Sequence, residues 1–133
     1  MKDMILINPY CPEESKKERL EKIIRHSVGE HSFEMLTTAE EVEKADLRNR
    51  RILFTVSLGQ SGINLSWYAI MKYLRLNRDA LEGSVGGVIL DGNSEIFTKS
   101  TGRSLVFTAN RAGCTFPGRP LVEGTRTLKN YNI

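Results

Sequence analysis

Residues 51–62 of this chain read RILFTVSLGQSG, an apolar stretch that leads directly into a loop with two glycines. The β-branched and aromatic side chains of Arg51–Ser57 predict a buried strand. Beyond the loop, apolar residues recur at helical spacing and predict an amphipathic helix. These residues are Ile63, Trp67, Ile70, Met71 and Leu74. A buried strand that passes through a short loop into a helix is the repeating unit of a parallel α/β sheet.

The same unit recurs along the chain. Further strands are predicted at Met4–Ile7, Phe33–Leu36, Gly83–Leu90 and Leu121-Val122. Further helices are predicted from Pro12 to Gly29, over Ala39–Leu47, and from Ser94 to Gly113. This order predicts an α/β fold, a three-layer sandwich in which helices cover both faces of a mostly parallel five-stranded sheet.

The length of 133 residues fits one domain, 1–133, since single domains commonly have roughly 100–150 residues. No apolar run approaches the roughly 18–20 residues that span a bilayer, so no membrane partner is predicted. The first apolar run ends at once in Asn8-Pro9, which favours a strand over a signal peptide and hence a cytoplasmic location. Cys11 and Cys114 form no disulfide framework, and no cluster of cysteines and histidines predicts a metal site.

Positive charge is concentrated toward the end of the chain. From Ile96 onward there are six basic residues and one acid, while the whole chain has a net charge of +3. This segment predicts either a solvated basic face or a surface that attracts phosphate groups or an acidic partner. Aromatic residues do not alternate with these cations as they do in nucleic-acid-binding surfaces, which argues against DNA or RNA as a partner.

Three predicted loops meet at the carboxyl edge of the sheet, where open α/β sheets bind ligands. They are Asn8–Pro12, Ser57–Asn64 and Asp91–Ser94. The second loop combines two glycines with small polar side chains, so its backbone can approach a ligand closely. The candidate ligand-binding residues are Ser57, Leu58, Gly59, Gln60, Ser61, Gly62, Asn64, Asp91, Gly92 and Asn93. The alternative for the second loop is a tight strand-to-helix turn that needs positive φ, and for the third loop it is a turn with a helix cap.

Single residues leave the chemistry open. Trp67 lies on the apolar face of its predicted helix, where both core packing and stacking on a ligand ring are consistent with the pattern. Cys11 follows the first strand, and a helix start there would favour its thiolate form. No Ser/His/Asp or paired-carboxylate arrangement stands out, so the catalytic residues stay unassigned.

Two stretches resemble a known family. Residues 81–92 read LEGSVGGVILDG, and residues 109–123 read ANRAGCTFPGRPLVE. They are similar to the fourth strand, and to the turn into the last strand, of the flavodoxin-like group that includes NAD(P)H-dependent FMN reductases. The resemblance implies a flavodoxin-like fold, FMN as the cofactor, and electron or hydride transfer by the flavin. It also implies that Ser57–Asn64 and Asp91–Asn93 line the isoalloxazine ring.

The loop after the first strand departs from that family. Residues 8–15 read NPYCPEES, whereas the family binds the FMN phosphate with a loop rich in serine, threonine and glycine. The two prolines lack backbone donors, and the carboxylates of Glu13 and Glu14 repel phosphate. The sequence therefore predicts weaker FMN binding than in relatives with an intact loop.

The end of the sequence also differs from the family pattern. Only Gly124–Ile133 follow the core of the fifth strand, which predicts that the last helix is missing. An uncovered sheet edge favours pairing with a second subunit and predicts a homodimer. Two other functions remain open on the same fold: a cofactor-free association module, and an enzyme that handles nucleotides or sugar phosphates.

Overall fold

A computed structural model describes residues 4–9, 21–22, 24–25, 29, 32–58, 64–92, 95–117 and 121–125. The strands are β1 (Met4–Ile7), β2 (Glu34–Leu36), β3 (Arg51–Ser57), β4 (Val85–Gly92) and β5 (Leu121–Thr125). The helices with defined bounds are α1 (Ala39–Lys44), α2 (Leu65–Leu76) and α3 (Glu95–Arg111).

All five strands pair in parallel, in the order β2-β1-β3-β4-β5. The chain runs from β1 outward to β2 and then crosses to β3, on the other side of β1. Strand order therefore reverses between β1 and β3, and sheets of this kind bind ligands above the carboxyl ends at such a point. The predicted α/β fold with a parallel five-stranded sheet is confirmed.

The helix ends follow from local sequence. α1 begins with a capping box, in which the Thr38 hydroxyl accepts from Glu41 N at 3.2 Å and the Glu41 carboxylate accepts from Thr38 N at 3.2 Å. Residues 21, 22, 24 and 25 are helical, and Gly29 follows with φ +63°, consistent with the predicted helix end there. The predicted start of that helix at Pro12 lies outside the described residues. No helix in the described part of the chain is long and apolar enough to cross a membrane.

Both faces of the sheet are buried, which explains the continuous apolar runs of β1, β3 and β4. On one face the main cluster joins the strands to the three helices, with members including Ile7, Phe54, Val56, Val42, Trp67 and Leu105. The Trp67 ring stands edge-on to Phe54 at 6.3 Å and is 1% exposed, so of the two alternatives for this residue the structure shows core packing. On the other face, Leu6 and Ile89 pack with Ile24.

The strand bounds differ from the prediction mainly at the two later strands. β4 begins at Val85 rather than Gly83, and β5 extends beyond Val122 to Thr125. β1 and β3 have the predicted bounds, whereas β4 runs two residues beyond Leu90 to Gly92. Asp91 pairs with Ser57 of β3 and with Gly124 of β5. Pairing on both sides therefore keeps Asp91-Gly92 in the strand, although the composition of this segment is typical of a turn.

β5 lies at an edge of the sheet, next to β4. This is the edge at which a second subunit is expected. The structure does not describe the side chains of Leu121 and Val122. The segment after Thr125, for which the sequence predicts no final helix, also lies outside the described residues. The homodimer therefore stays a prediction.

Gly113→Ala is expected to lower the free energy of unfolding by roughly 2 kcal/mol or more. Gly113 ends α3 with φ +105°, and a Cβ there would lie 2.6 Å from Glu82 Cα and 2.9 Å from Glu82 N. Gly29→Ala is the matched control, because a Cβ there would meet no described atom within 4 Å. Its positive φ alone costs about 1 kcal/mol. Urea unfolding followed by circular dichroism compares the two, and equal costs would contradict a role for the contact with Glu82.

Candidate functional site

The carboxyl ends of the three middle strands lie side by side. Ser57 ends β3, and its Cα partner on β4 is Asp91. One residue further on, Leu58 N donates to Asp91 O at 2.8 Å. On the other side of β3, the Thr55 hydroxyl donates to Ile7 O at the end of β1, at 3.3 Å. Ser57 therefore lies between the ends of β1 and β4, in a continuous floor at this edge of the sheet.

Asn64 joins the two ends of the loop between β3 and α2. Its Nδ2 donates to Ser57 O at 2.9 Å, and its Oδ1 accepts from Trp67 N at 3.0 Å. The second bond caps the amino end of α2. The bond to Ser57 O brings the end of β3 and the amino end of α2 into direct contact.

The Ser57 hydroxyl stands out at this edge. The side chain is 1% exposed, and its Oγ has no hydrogen-bond partner among the described residues. Thr55, two residues earlier on the same face of β3, is equally buried but donates to Ile7 O. A buried hydroxyl without a partner costs about 1–3 kcal/mol, so such groups are rare and call for an explanation. A polar group on a molecule bound at the strand ends would provide the missing partner.

Leu58, Asp91 and Gly92 belong to the floor of the site rather than to a projecting loop. Leu58 and Asp91 are each 2% exposed. A Cβ on Gly92 would lie 2.2 Å from Thr98 Oγ1 and 3.5 Å from Leu58 Cδ1. A side chain at position 92 would therefore displace the Thr98 hydroxyl, where the start of α3 packs against the end of β4.

The structure thus brings together five of the predicted site residues, namely Ser57, Leu58, Asn64, Asp91 and Gly92. The structure does not describe the predicted site residues 59–62 and Asn93. The first loop beyond Pro9, which contains Cys11, is also outside the described residues. Sequence reasoning missed the capping role of Asn64, although an asparagine directly before a helical apolar pattern is a known cap signal. It also missed that the Ser57 hydroxyl has no partner among the described residues, for which the sequence carries no signal.

Cys114 lies at the opposite edge of the sheet. Its neighbour Thr115 bridges to Val85, the first residue of β4. Burial raises the pKa of the Cys114 thiol to about 12. The thiol therefore stays protonated at neutral pH, which is typical of a packing residue and not of a nucleophile.

An open pocket of about 360 Å³ also lies at this amino edge, between the ends of α1 and α2. Its cations are already paired: Lys44 Nζ is 2.8 Å from Glu40 Oε1, and Arg48 Nε is 3.4 Å from Asp46 Oδ1. Hydrogen bonds from Arg48 lower the pKa of Asp46 and keep it charged. With acids and cations in balance, this pocket shows no preference for a charged ligand.

Comparison with known proteins bears on the fold. No protein-family model and no curated protein sequence matches the chain. Among solved structures, it is similar to a Fusobacterium nucleatum flavodoxin bound to flavin mononucleotide, with 17% identity over 89% of this chain and 70% of that one, and a TM-score of 0.62. It is also similar to an oxidised flavodoxin of Bacillus cereus, with 18% identity over 90% and 82% of the two chains and a TM-score of 0.64. The chain has the flavodoxin-like fold.

A third similar structure is a short-chain flavodoxin associated with a bacterial microcompartment. The identity is 14% over 94% of this chain and 86% of that one, and the TM-score is 0.63. All three similarities support the same fold.

Asn64→Ala is expected to lower the free energy of unfolding by about 2 kcal/mol, because α2 loses its cap and Ser57 O loses its donor. Asn64→Ser keeps a capping oxygen and is expected to cost about half as much. Asn77→Ala, at the other end of α2, removes one bond to Tyr73 O and serves as the control, with a cost of about 1 kcal/mol or less. Urea titration measures all three. If serine at position 64 proves as costly as alanine, the capping role is wrong.

Proposed function

We propose that this chain binds FMN above the carboxyl ends of β1 and β3 and carries electrons through the bound flavin. The flavodoxin-like fold supports the location, since the strand order reverses at this point. The similar Fusobacterium nucleatum flavodoxin is a complex with flavin mononucleotide. The flavin supplies the electron-transfer chemistry, and the protein binds and orients it.

The observation that carries this proposal is the buried Ser57 hydroxyl, which has no hydrogen-bond partner among the described residues. A hydroxyl both donates and accepts, so it can bond to a carbonyl oxygen or a ring nitrogen along the polar edge of an isoalloxazine ring. Asn64 lies next to it, with its side-chain amide bonded to Ser57 O. Under this proposal, Ser57 and the loop orient the ring, and the buried ends of β3 and β4 exclude water beneath it.

The phosphate end of FMN fits this chain less well than the ring end. Pro9, two residues after the end of β1, is buried and offers no backbone donor. Glu13 and Glu14 follow in the loop where the resemblance implies phosphate binding, and their charges oppose it. Most of the affinity for FMN is therefore expected to come from the ring.

The proposal also covers the type of electron transfer and the oligomeric state. The resemblance of residues 81–92 and 109–123 supports a relation to NAD(P)H-dependent FMN reductases, in which hydride passes from the nicotinamide to the flavin. The β5 edge supports a homodimer. The alternative of a cofactor-free association module draws its support from Glu13 and Glu14, which disfavour any phosphate-bearing ligand.

Ser57→Ala is expected to weaken FMN binding roughly tenfold, because one hydrogen bond to the flavin is lost. The same change is expected to raise the free energy of unfolding of the flavin-free protein by up to about 1 kcal/mol, because it removes a buried hydroxyl that has no partner among the described residues. A merely structural serine would not give these opposite effects. Quenching of flavin fluorescence measures the first, and urea unfolding the second.

Thr55→Val is the matched control on the same strand face. Its hydroxyl is paired with Ile7 O, so its loss should lower stability and leave FMN affinity unchanged. If the wild-type chain binds no FMN at millimolar concentration, the proposal is wrong and the association module is favoured. Unchanged affinity in Ser57→Ala would place the flavin elsewhere.

The double variant Glu13→Ser/Glu14→Thr is expected to bind FMN several-fold more tightly and riboflavin unchanged, because repulsion of the phosphate is relieved. Glu43→Ser/Glu82→Thr removes two acids at other places in the fold and should change neither affinity. Parallel titrations with the two flavins provide the test. Equal tightening for riboflavin, or none for FMN, would contradict this placement of the phosphate.

A further inference from the structure

The outward faces of α2 and α3 form one surface. The two helices are neighbours in the layer that covers one side of the sheet. Six large hydrophobic side chains are exposed in the described part of the chain, and four of them lie on these two helices. They are Leu65 (77% exposed), Tyr68 (49%), Leu76 (73%) and Phe107 (62%). We call this surface the α2–α3 face.

The same face is positively charged. Its exposed cations are Lys72, Arg75, Arg103 and Arg111. The sequence of α2 contains no acid, and Glu95 is the single acid in that of α3. The Arg111 guanidinium lies 5.6 Å from the centroid of the Phe107 ring, so cationic and apolar groups are in direct contact here. Exposed acids gather instead on α1, at Glu40, Glu41 and Glu43.

The position of Lys72 favours a membrane surface over a protein as the partner of this face. It follows Leu65 by seven residues and precedes Leu76 by four, so it lies between two exposed leucines on one ridge of the helix. Protein–protein interfaces exclude lysine from their apolar centres. At a bilayer surface, by contrast, leucines enter the boundary of the acyl chains while the lysine between them extends to the lipid phosphates.

We propose that the α2–α3 face lies on the surface of an anionic phospholipid membrane. Leu65, Leu76 and Phe107 enter the headgroup boundary, and the surrounding cations contact lipid phosphates. The prediction of no membrane partner from sequence rested on the lack of a long apolar run, which bears on crossing a bilayer and not on lying against one. The inference is independent of whether the protein binds flavin.

Co-sedimentation of the full chain with vesicles tests this. We expect at least about tenfold more binding to vesicles with roughly 30% phosphatidylglycerol in phosphatidylcholine than to phosphatidylcholine alone. Salt at about 0.5 M should release most of the protein, because it screens the cations. Leu65→Ser/Leu76→Ser and Lys72→Glu are each expected to reduce binding about tenfold.

Two variants control for exposed groups elsewhere. Met35→Ser changes an apolar side chain on β2 that is 44% exposed, and Lys22→Glu reverses an exposed cation outside the face. Both should bind anionic vesicles like the wild type, and circular dichroism checks that every variant is folded. No preference for anionic vesicles, or equal binding by all variants, would overturn the proposal. Binding to soluble poly-L-glutamate without binding to vesicles would overturn it in favour of an acidic protein partner.

Discussion

The pairing of β3 between β1 and β4 is the constraint on which the rest of this structure depends. All seven residues of β3 pair with β4, and its first four also pair with β1, in parallel throughout. A parallel pair needs a connection that crosses back over a face of the sheet, and right-handed crossovers bring every loop that follows a strand to the same edge. The location of the candidate site is therefore a consequence of how β3 is buried.

That burial creates a conflict at the last residue of the strand. Val56 and Ser57 are both buried, but the hydroxyl of Ser57 has no partner among the described residues. A cost of about 1–3 kcal/mol is a substantial part of a total stability of about 5–15 kcal/mol. Natural sequences keep such local violations mainly at functional sites. β3 thus organises the fold, but its last residue, Ser57, is not the residue that stability alone would favour at that position.

The sequence predicts most of this fold because the buried strands are continuous apolar runs. The bounds of β1 and β3 follow directly from those runs. The end of β4 does not, because Asp91-Gly92 has the composition of a turn and is held in the strand by pairing with β3 and β5. Tertiary pairing outweighs local preference there, and a single sequence carries no direct record of it.

The site is less predictable than the fold, for a related reason. Composition alone identified Ser57 and Asn64 as polar residues near a strand end. Whether a hydroxyl is paired depends on atoms from other strands: Thr55 finds Ile7 O, and Ser57 finds no comparable acceptor among the described residues. In the same way, Leu65 and Leu76 look like ordinary helix residues until packing shows which face α2 buries.

Charge at the site and charge on the surface have separate origins. Lys72 follows Asn64 by eight residues, a rise of about 12 Å along α2. This exceeds the screening length of about 8 Å at physiological ionic strength, so the cations of the α2–α3 face contribute little to binding an anion at the strand ends. The field at the phosphate end of a bound flavin would instead be set by its own loop, with Glu13 and Glu14. A net charge of +3 is therefore informative about the surface that this protein presents to a partner, and uninformative about ligand binding at the carboxyl edge of its sheet.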